Sequence, residues 1–263
     1  MNEGLGHELV RRLRAFRDDP NTVPRYLINS RFFHSASHPL ISNFSKIGSV
    51  YTDLNLVLDD LQIIPASNAD LLSQLSSEFN NLSSKLKPRY ERKLNYPKEW
   101  ALEDKTSLLL YSMVRLFRPK KILETGVANG HSTFYILHAL KRNGVGELHS
   151  TDVSNDVGKL VDEDETSNWH LHILDTKRPK SSFRDELDKI GKLNLFIHDS
   201  NHNYYWQYLE YSYVYEFLIQ NSILCSDDVD WSNAFSDFSQ KVGARPLFFF
   251  DVRKIFGILK KTN

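Results

Sequence analysis

The sequence predicts an α/β fold in which a doubly wound, mostly parallel sheet follows a helical N-terminal region. Three patterns predict it. From Thr106 onward, helical periodicity alternates with short continuous apolar runs, as in a parallel sheet covered on both faces. A glycine-bearing turn, Gly126 to Gly130, joins the first of those runs directly to a helix. The last two runs are separated only by Asp251 to Lys254, too short for a helical crossover, so they are expected to pair as an antiparallel hairpin at the sheet edge.

Before Thr106 the apolar spacing is helical and no strand alternation is visible. Leu9, Leu13 and Phe16 share one face, and Leu54, Val57, Leu58 and Leu61 share another. Pro20, Pro24, Pro39 and Pro65 punctuate this part. The polar run from Ser73 to Ser84 keeps Leu75, Phe79, Leu82 and Leu86 at helical spacing, which marks an amphipathic helix rather than disorder. Residues 1–99 are therefore assigned to a helical N-terminal region, a substrate lid or dimer interface, and residues 100–263 to the α/β domain.

Within that domain Leu108 to Phe117 reads as a helix stopped by Arg118-Pro119. The strand Lys121 to Glu124, the glycine turn and the helix Ser132 to Arg142 follow. Further strands are expected at Glu147 to Thr151, His170 to Leu174, Leu193 to His198, Ser222 to Ser226, Leu247 to Phe250 and Ile255 to Leu259. His170 and His172 share a strand face with Leu174, a placement that favours packing over metal binding.

Composition narrows the function. The 263 residues suffice for one large core with an accessory segment. Lysine plus arginine and aspartate plus glutamate each number 33, so no global field favours nucleic acid or an anionic membrane. A single cysteine, Cys225, excludes an internal disulfide and a cysteine-based zinc cluster, and with the lack of a secretory h-region it points to the cytoplasm. No apolar run reaches the length of a membrane helix. The partner expected is a small molecule.

Glu124-Thr125-Gly126-Val127-Ala128-Asn129-Gly130 lies between a buried strand and a helix whose first turn holds Ser132 and Thr133. Glycines there let the backbone turn sharply and approach a ligand. The pattern E-x-G-x-x-x-G is neither the three-glycine dinucleotide fingerprint nor a G-x-x-x-x-G-K-[ST] phosphate loop. Asp152 closes the next strand, 28 residues after Glu124, where an acid accepts ribose hydroxyls. Ordinary alternatives exist for each: a plain strand-to-helix turn, and a solvated helix cap at Asp152.

Asp199-Ser200-Asn201-His202 follows the strand ending at His198, and Asp227-Asp228 follows the strand ending at Ser226. Carboxylates at the carboxyl ends of adjacent parallel strands point into one crevice. Three crowded acids repel one another and call for a cation, such as magnesium with oxygen ligands.

The glycine turn, the strand-end acids and the reversed last strand together resemble class I S-adenosylmethionine-dependent methyltransferases with a Rossmann-like fold. Over residues 100 to 260 the closest resemblance is to the metal-dependent sugar and natural-product O-methyltransferases of the macrolide and aminocoumarin tailoring type. That resemblance implies that the backbone at Gly126 and Ala128 lines the methionine part of S-adenosylmethionine, with Thr125, Gly130, Ser132 and Thr133 in the same loop. It also implies that Glu124 orders the loop and that Asp175 lies near the adenine amine. Mg2+ would be held by Asp199, Asp227 and Asp228, whose spacing of 28 residues between Asp199 and Asp227 matches the family pattern.

One position departs from it. The family's second acid, its general base, is Asn201 here, and a neutral amide cannot take a substrate proton; His202 is the natural substitute. A helix-entry histidine bonded to backbone is the plain alternative for His202. The aromatic run Tyr204 to Tyr215 reads as helix packing, and Trp231 as a substrate-contact candidate beside the acids. Arg89, Arg92, Lys93 and Tyr96-Pro97 either close over the cofactor or form a solvated face. Two other functions compete: a methyltransferase-like binding protein without catalysis, suggested by Asn201, and a glycosyltransferase that uses Asp228-Val229-Asp230 as a D-x-D metal motif.

Overall fold

A computed structural model describes residues 44–63 and 68–262. The expected helix face of Leu9, Leu13 and Phe16, and Pro20, Pro24, Pro39 and Pro65, lie outside the described residues. The elements are β1 (Ser49–Tyr51), α1 (Leu54–Asp60), α2 (Ala69–Leu86), α3 (Asp104–Phe117), β2 (Lys121–Thr125), α4 (His131–Asn143), β3 (Glu147–Asp152) and β4 (Trp169–Ile173). They continue with α5 (Pro179–Ile190), β5 (Leu193–His198), α6 (Tyr204–Phe217), β6 (Leu218–Ser226), α7 (Ala234–Lys241), β7 (Leu247–Phe250) and β8 (Ile255–Lys260).

The strands form one eight-stranded sheet in the order β1-β7-β8-β6-β5-β2-β3-β4. All neighbours are parallel except β8, which runs antiparallel to both β6 and β7. The order steps outward from β2 in both directions, so the crevice at the carboxyl ends of β2 and β5 is the topological switch point of the sheet. Among the described residues no helix is long and apolar enough to cross a membrane.

The last two strands pair as expected, yet they do not form the sheet edge. β8 is inserted between β6 and β7, and β1 adds itself in parallel outside β7, with Ser49 opposite Leu247 and Tyr51 opposite Phe249. The helical reading of the N-terminal region overlooked this strand because three residues carry no readable alternation. Its cause lies in the partner: Phe248 and Phe249 of β7 are fully buried.

Two apolar layers cover the sheet. One joins α1, α2, α3 and α4 through residues such as Leu58, Phe79, Leu110 and Phe134 to the sheet residues Ile122, Ile197 and Phe256. The other packs Phe183 and Leu187 of α5, Tyr211 of α6 and Phe235 of α7 on Leu123, Phe196 and Leu224. The polar stretch of α2 folds as the amphipathic helix its leucines predict: Phe79 stacks on Tyr135 of α4, with ring centroids 4.6 Å apart. Its buried Glu78 accepts from Tyr111 and Arg115 of α3, both at 2.9 Å.

Gly257 tests how tightly this core closes. A Cβ there would lie 2.6 Å from Phe235 and 2.7 Å from Val229, closer than side chains approach without displacement. Gly257→Ala is expected to lower stability by about 1–3 kcal/mol through overpacking. The check is urea unfolding, with the midpoint falling at unchanged slope.

Candidate active site

The site is assembled where β2, β5 and β6 end. Parallel register carries on past the strands: the Asp199 amide donates to the Thr125 carbonyl and the Asp227 amide to the His198 carbonyl, each at 2.9 Å. Asp199, Asp227 and the glycine turn thereby emerge side by side.

In the turn Gly126, Ala128 and Gly130 have φ of 82°, 47° and 87°, in the left-handed region. A Cβ at Gly126 would lie 2.1 Å from the Asp199 carbonyl oxygen, and one at Gly130 2.9 Å from the Gly158 Cα. The glycines are therefore required by the protein's own backbone packing, a reason the sequence alone did not reveal. Beneath the turn, Glu124 is fully buried and accepts from Ser132 (2.5 Å), Thr133 (2.8 Å) and Ser150 (2.8 Å). Burial raises its pKa, and the three hydroxyls pull it back. Ser132 and Thr133 thus serve Glu124 directly. Thr125 turns the other way and donates to Glu210 at 2.7 Å.

Asp152 receives the Val127 amide on one oxygen (2.9 Å) and the Val153 and Ser154 amides on the other (2.7 and 3.0 Å). A carboxylate has about four acceptor positions, so roughly one is left for an incoming hydroxyl. Asp175 is committed to its own turn, accepting from the Lys177 amide (2.9 Å) and Arg178 (3.2 Å).

The acids do converge, around a residue that motif reading missed. Lys254, just before β8, is buried and places its Nζ 2.6 Å from Asp227 and 3.4 Å from Asp228. Burial pushes its pKa down, but Asp227, Asp228 and Asp199 outweigh that and hold it above its ordinary value. Burial and Asp227 raise Asp199 well above the usual carboxylate range. Burial takes Asp227 up to about 6 against the pull of Lys254, and Asp230 up to about 7. No spacing rule links position 254 to 227; only the hairpin topology brings them together.

His202 lies over this cluster, its Nε2 3.7 Å from both Asp199 and Asp228 and its ring 6.1 Å from that of Trp231. Asn201 is exposed and its amide oxygen caps the Asn203 amide at 3.1 Å. A second missed residue is Glu210 of α6, buried, which gathers Thr125, His198 (2.6 Å), Ser200 (2.9 Å) and Trp206 (2.5 Å). Tyr211 packs inward and shares a 2.6 Å hydrogen bond with Ser226, as the packing view of the aromatic run requires.

The segment between α2 and α3 crosses the glycine turn as a strap. Arg89 forms a bidentate pair with Glu165 (2.6 and 2.8 Å), Arg92 pairs with Asp162 (2.7 Å), and the Asn129 side chain bonds both the amide and the carbonyl of Tyr96. Arg89 is thus anchored over the turn, while Arg92 and Lys93 remain exposed, as in a solvated face. Tyr90, Trp100 and Leu102 on the strap side and Val127, Ala128, Ser132 and Asp199 on the sheet side line one narrow crevice. His131 at its floor bonds Tyr90 (2.6 Å) and Ser107 (2.9 Å), and burial drives its pKa down to about 4.

Residues 123–229 match a family model described as a methyltransferase domain. No curated protein matches in sequence. Similar solved structures include the O-methyltransferase of Bacillus cereus in complex with SAH, at TM-score 0.53 and 11% identity, covering 69% of this chain and 91% of that one. Another is the Streptomyces achromogenes O-methyltransferase involved in tomaymycin synthesis, in complex with SAM, at 0.54 and 16%, covering 69% and 89%. An SAH-bound methyltransferase of Podospora anserina aligns at 0.51 and 15%, covering 74% and 97%. At these identities the structures share a fold with this chain. Residues 123–229 are thus similar in sequence to a methyltransferase domain, and the fold is the one these solved structures share.

The strap has a pH signature. Burial opposes ionisation of Glu165, but Arg89, the Asp162 amide and His138 hold its pKa down to about 2, below its ordinary 4.5. An acid depressed on folding stabilises fully above the unfolded value and loses that contribution as pH falls from about 4.5 through about 2. Glu165→Gln is expected to remove that part of the acid transition, read by comparing unfolding midpoints of the two proteins at pH 7 and pH 3.

Proposed function

We propose that the protein is an S-adenosylmethionine-dependent O-methyltransferase acting on a hydroxyl of a sugar or small natural product. The observation that carries this reading is the crevice itself, where the glycine-turn backbone and Asp199 face the same space under the strap. The turn fits the methyl donor: its left-handed residues bend the backbone away from the strand end, and Asp152 keeps an acceptor position for ribose. Gly126, Ala128 and Gly130 are assigned to the methionine side, and the adenine contact expected of Asp175 would compete with the Lys177 amide and Arg178 that it already accepts. The bound donor supplies an electrophilic methyl on a sulfonium.

His202 is assigned as general base. Its Nε2 lies 3.7 Å from both Asp199, which lines the crevice, and Asp228, and an imidazole is matched to proton removal near neutral pH. His202 would take the acceptor hydroxyl's proton, while the donor held by the glycine turn and Asp152 would supply the methyl group to the freed oxygen. Trp231 beside His202 offers an aromatic wall for the acceptor.

The expected Mg2+ does not fit Asp199, Asp227 and Asp228 as arranged. Lys254 already holds a positive charge against Asp227 and Asp228. Among the described residues, the only trio of ligand atoms lying within 4.8 Å of one another is on β3 and β4, not here. The fixed ammonium takes over charge compensation, and no step is assigned to a metal. The D-x-D reading loses its motive for the same reason, because the metal it requires would compete with Lys254.

Calorimetry is expected to show micromolar binding of S-adenosylmethionine and S-adenosylhomocysteine, with NADH and UDP-glucose inert; UDP-glucose binding alone would overturn the proposal. Binding and turnover are expected to survive EDTA, and a strict magnesium requirement would return the acids to a metal. Once an acceptor is in hand, His202→Ala is expected to lower kcat by about 10²–10⁴-fold. Unchanged turnover would remove His202 from the mechanism.

A further inference from the structure

A second cluster of ionisable groups lies away from the crevice, near the amino ends of β3 and β4. Glu147 and His149 of β3 and His170 and His172 of β4 share one face, and Glu186 of α5 packs on it. His149 Nε2 is 3.1 Å from Glu147, His149 Nδ1 is 3.0 Å from His172 Nε2, and His172 Nδ1 is 3.0 Å from Glu186. These contacts form a continuous chain from carboxylate through two imidazoles to carboxylate.

The chain is short of one positive charge. Each of its three contacts needs a proton between acceptors, and two neutral imidazoles carry only two N–H groups. Lys121 (3.3 Å) and Lys189 (2.7 Å) balance the carboxylates from outside but place no proton within the chain. If the two N–H groups point toward Glu186, His149 Nε2 presents a lone pair to Glu147.

A third donor meets them there. His170 Nε2 is 3.5 Å from Glu147, and one ligand atom each from Glu147, His149 and His170 lie within 4.8 Å of one another. Tetrahedral zinc with bonds of about 2.0–2.1 Å holds neighbouring ligands about 3.3 Å apart, so modest side-chain motion closes the set. We propose that Glu147, His149 and His170 form a binding site for a divalent zinc ion that clasps edge strand β4 to β3. The second sphere is in reach: His149 Nδ1 lies 3.0 Å from His172 Nε2 and His172 Nδ1 3.0 Å from Glu186, so donation toward Glu186 would fix the tautomer a metal-bound imidazole requires. Half-exposed Glu147 and His170 leave an entry path and a fourth position for water. Of the two histidines read as packing residues, His170 is assigned as a ligand and His172 as the support of His149, and the site does not rest on the methyltransferase assignment.

The test uses the full chain free of any polyhistidine tag, titrated with zinc sulfate by calorimetry and with cobalt(II) by visible absorption. One zinc per chain, tetrahedral cobalt bands and a zinc-dependent rise in Tm are expected. His170→Ala and Glu147→Gln are each expected to weaken zinc binding at least about 10-fold, and His172→Ala to do so by a second-sphere effect of about 10–100-fold. No zinc binding, or the same affinity and stoichiometry in His170→Ala as in the parent, overturns the proposal. If His149→Ala fails to fold, half-exposed His170 still decides the matter, and an unchanged circular dichroism spectrum and cooperative unfolding of its variant report that the fold is intact.

Discussion

The burial of one ammonium among three carboxylates governs the active end of the molecule. Lys254 cannot reach Asp227 unless the loop between β7 and β8 is held in place, and a fourth acid holds it. Glu103, buried at the start of α3, accepts from the amides of Val252, Arg253 and Lys254 at 2.9, 2.8 and 3.2 Å, and from the Arg253 side chain at 2.6 Å. Asp251 returns the favour by capping the Thr106 amide at 2.9 Å. Each element thus supplies the polar partners that the other, once buried, no longer finds in water. Loss of one cation from such a cluster leaves like charges facing each other in a low-dielectric setting, so loop and strand ends stand or fall together.

Two further carboxylates organise what surrounds it. Glu124 binds the first turn of α4 to the end of β2 and to β3, while Glu210 binds β2, the His198 end of β5 and α6. Both sit under the crevice rather than in it. Their chemistry is positional: each fixes hydroxyl, imidazole or indole donors that hold neighbouring elements together. Because Gly126 rests against the Asp199 carbonyl, the glycine turn and Asp199 are in direct contact.

What could be read from the chain follows from how local the signal is. The alternation of apolar runs located β2 through β8, and Asp199, Asp227 and Asp228 were legible because strand ends sit at predictable places. Lys254 and Glu103 were not, since their meaning depends on a contact between residues 150 positions apart. Glu210 lay hidden on a helix whose aromatic residues drew attention instead, and β1 was too short to show a period. Asp175 was legible as a strand-end acid but not as one spent on its own turn. His149 gave no signal because it becomes a neighbour of His170 and His172 only through the register of β3 on β4.

The three-residue strand β1 has a consequence beyond completing the sheet. A parallel sheet that stopped at β7 would offer a run of phenylalanines with open backbone groups to any passing chain, the template from which ordered aggregates grow. Laying Ser49–Tyr51 along that flank moves the frontier to a strand too brief to recruit another, and the next turn begins with Asp53 capping α1. Among the described residues, the outer flank of the sheet is therefore held by a segment that does not line the crevice.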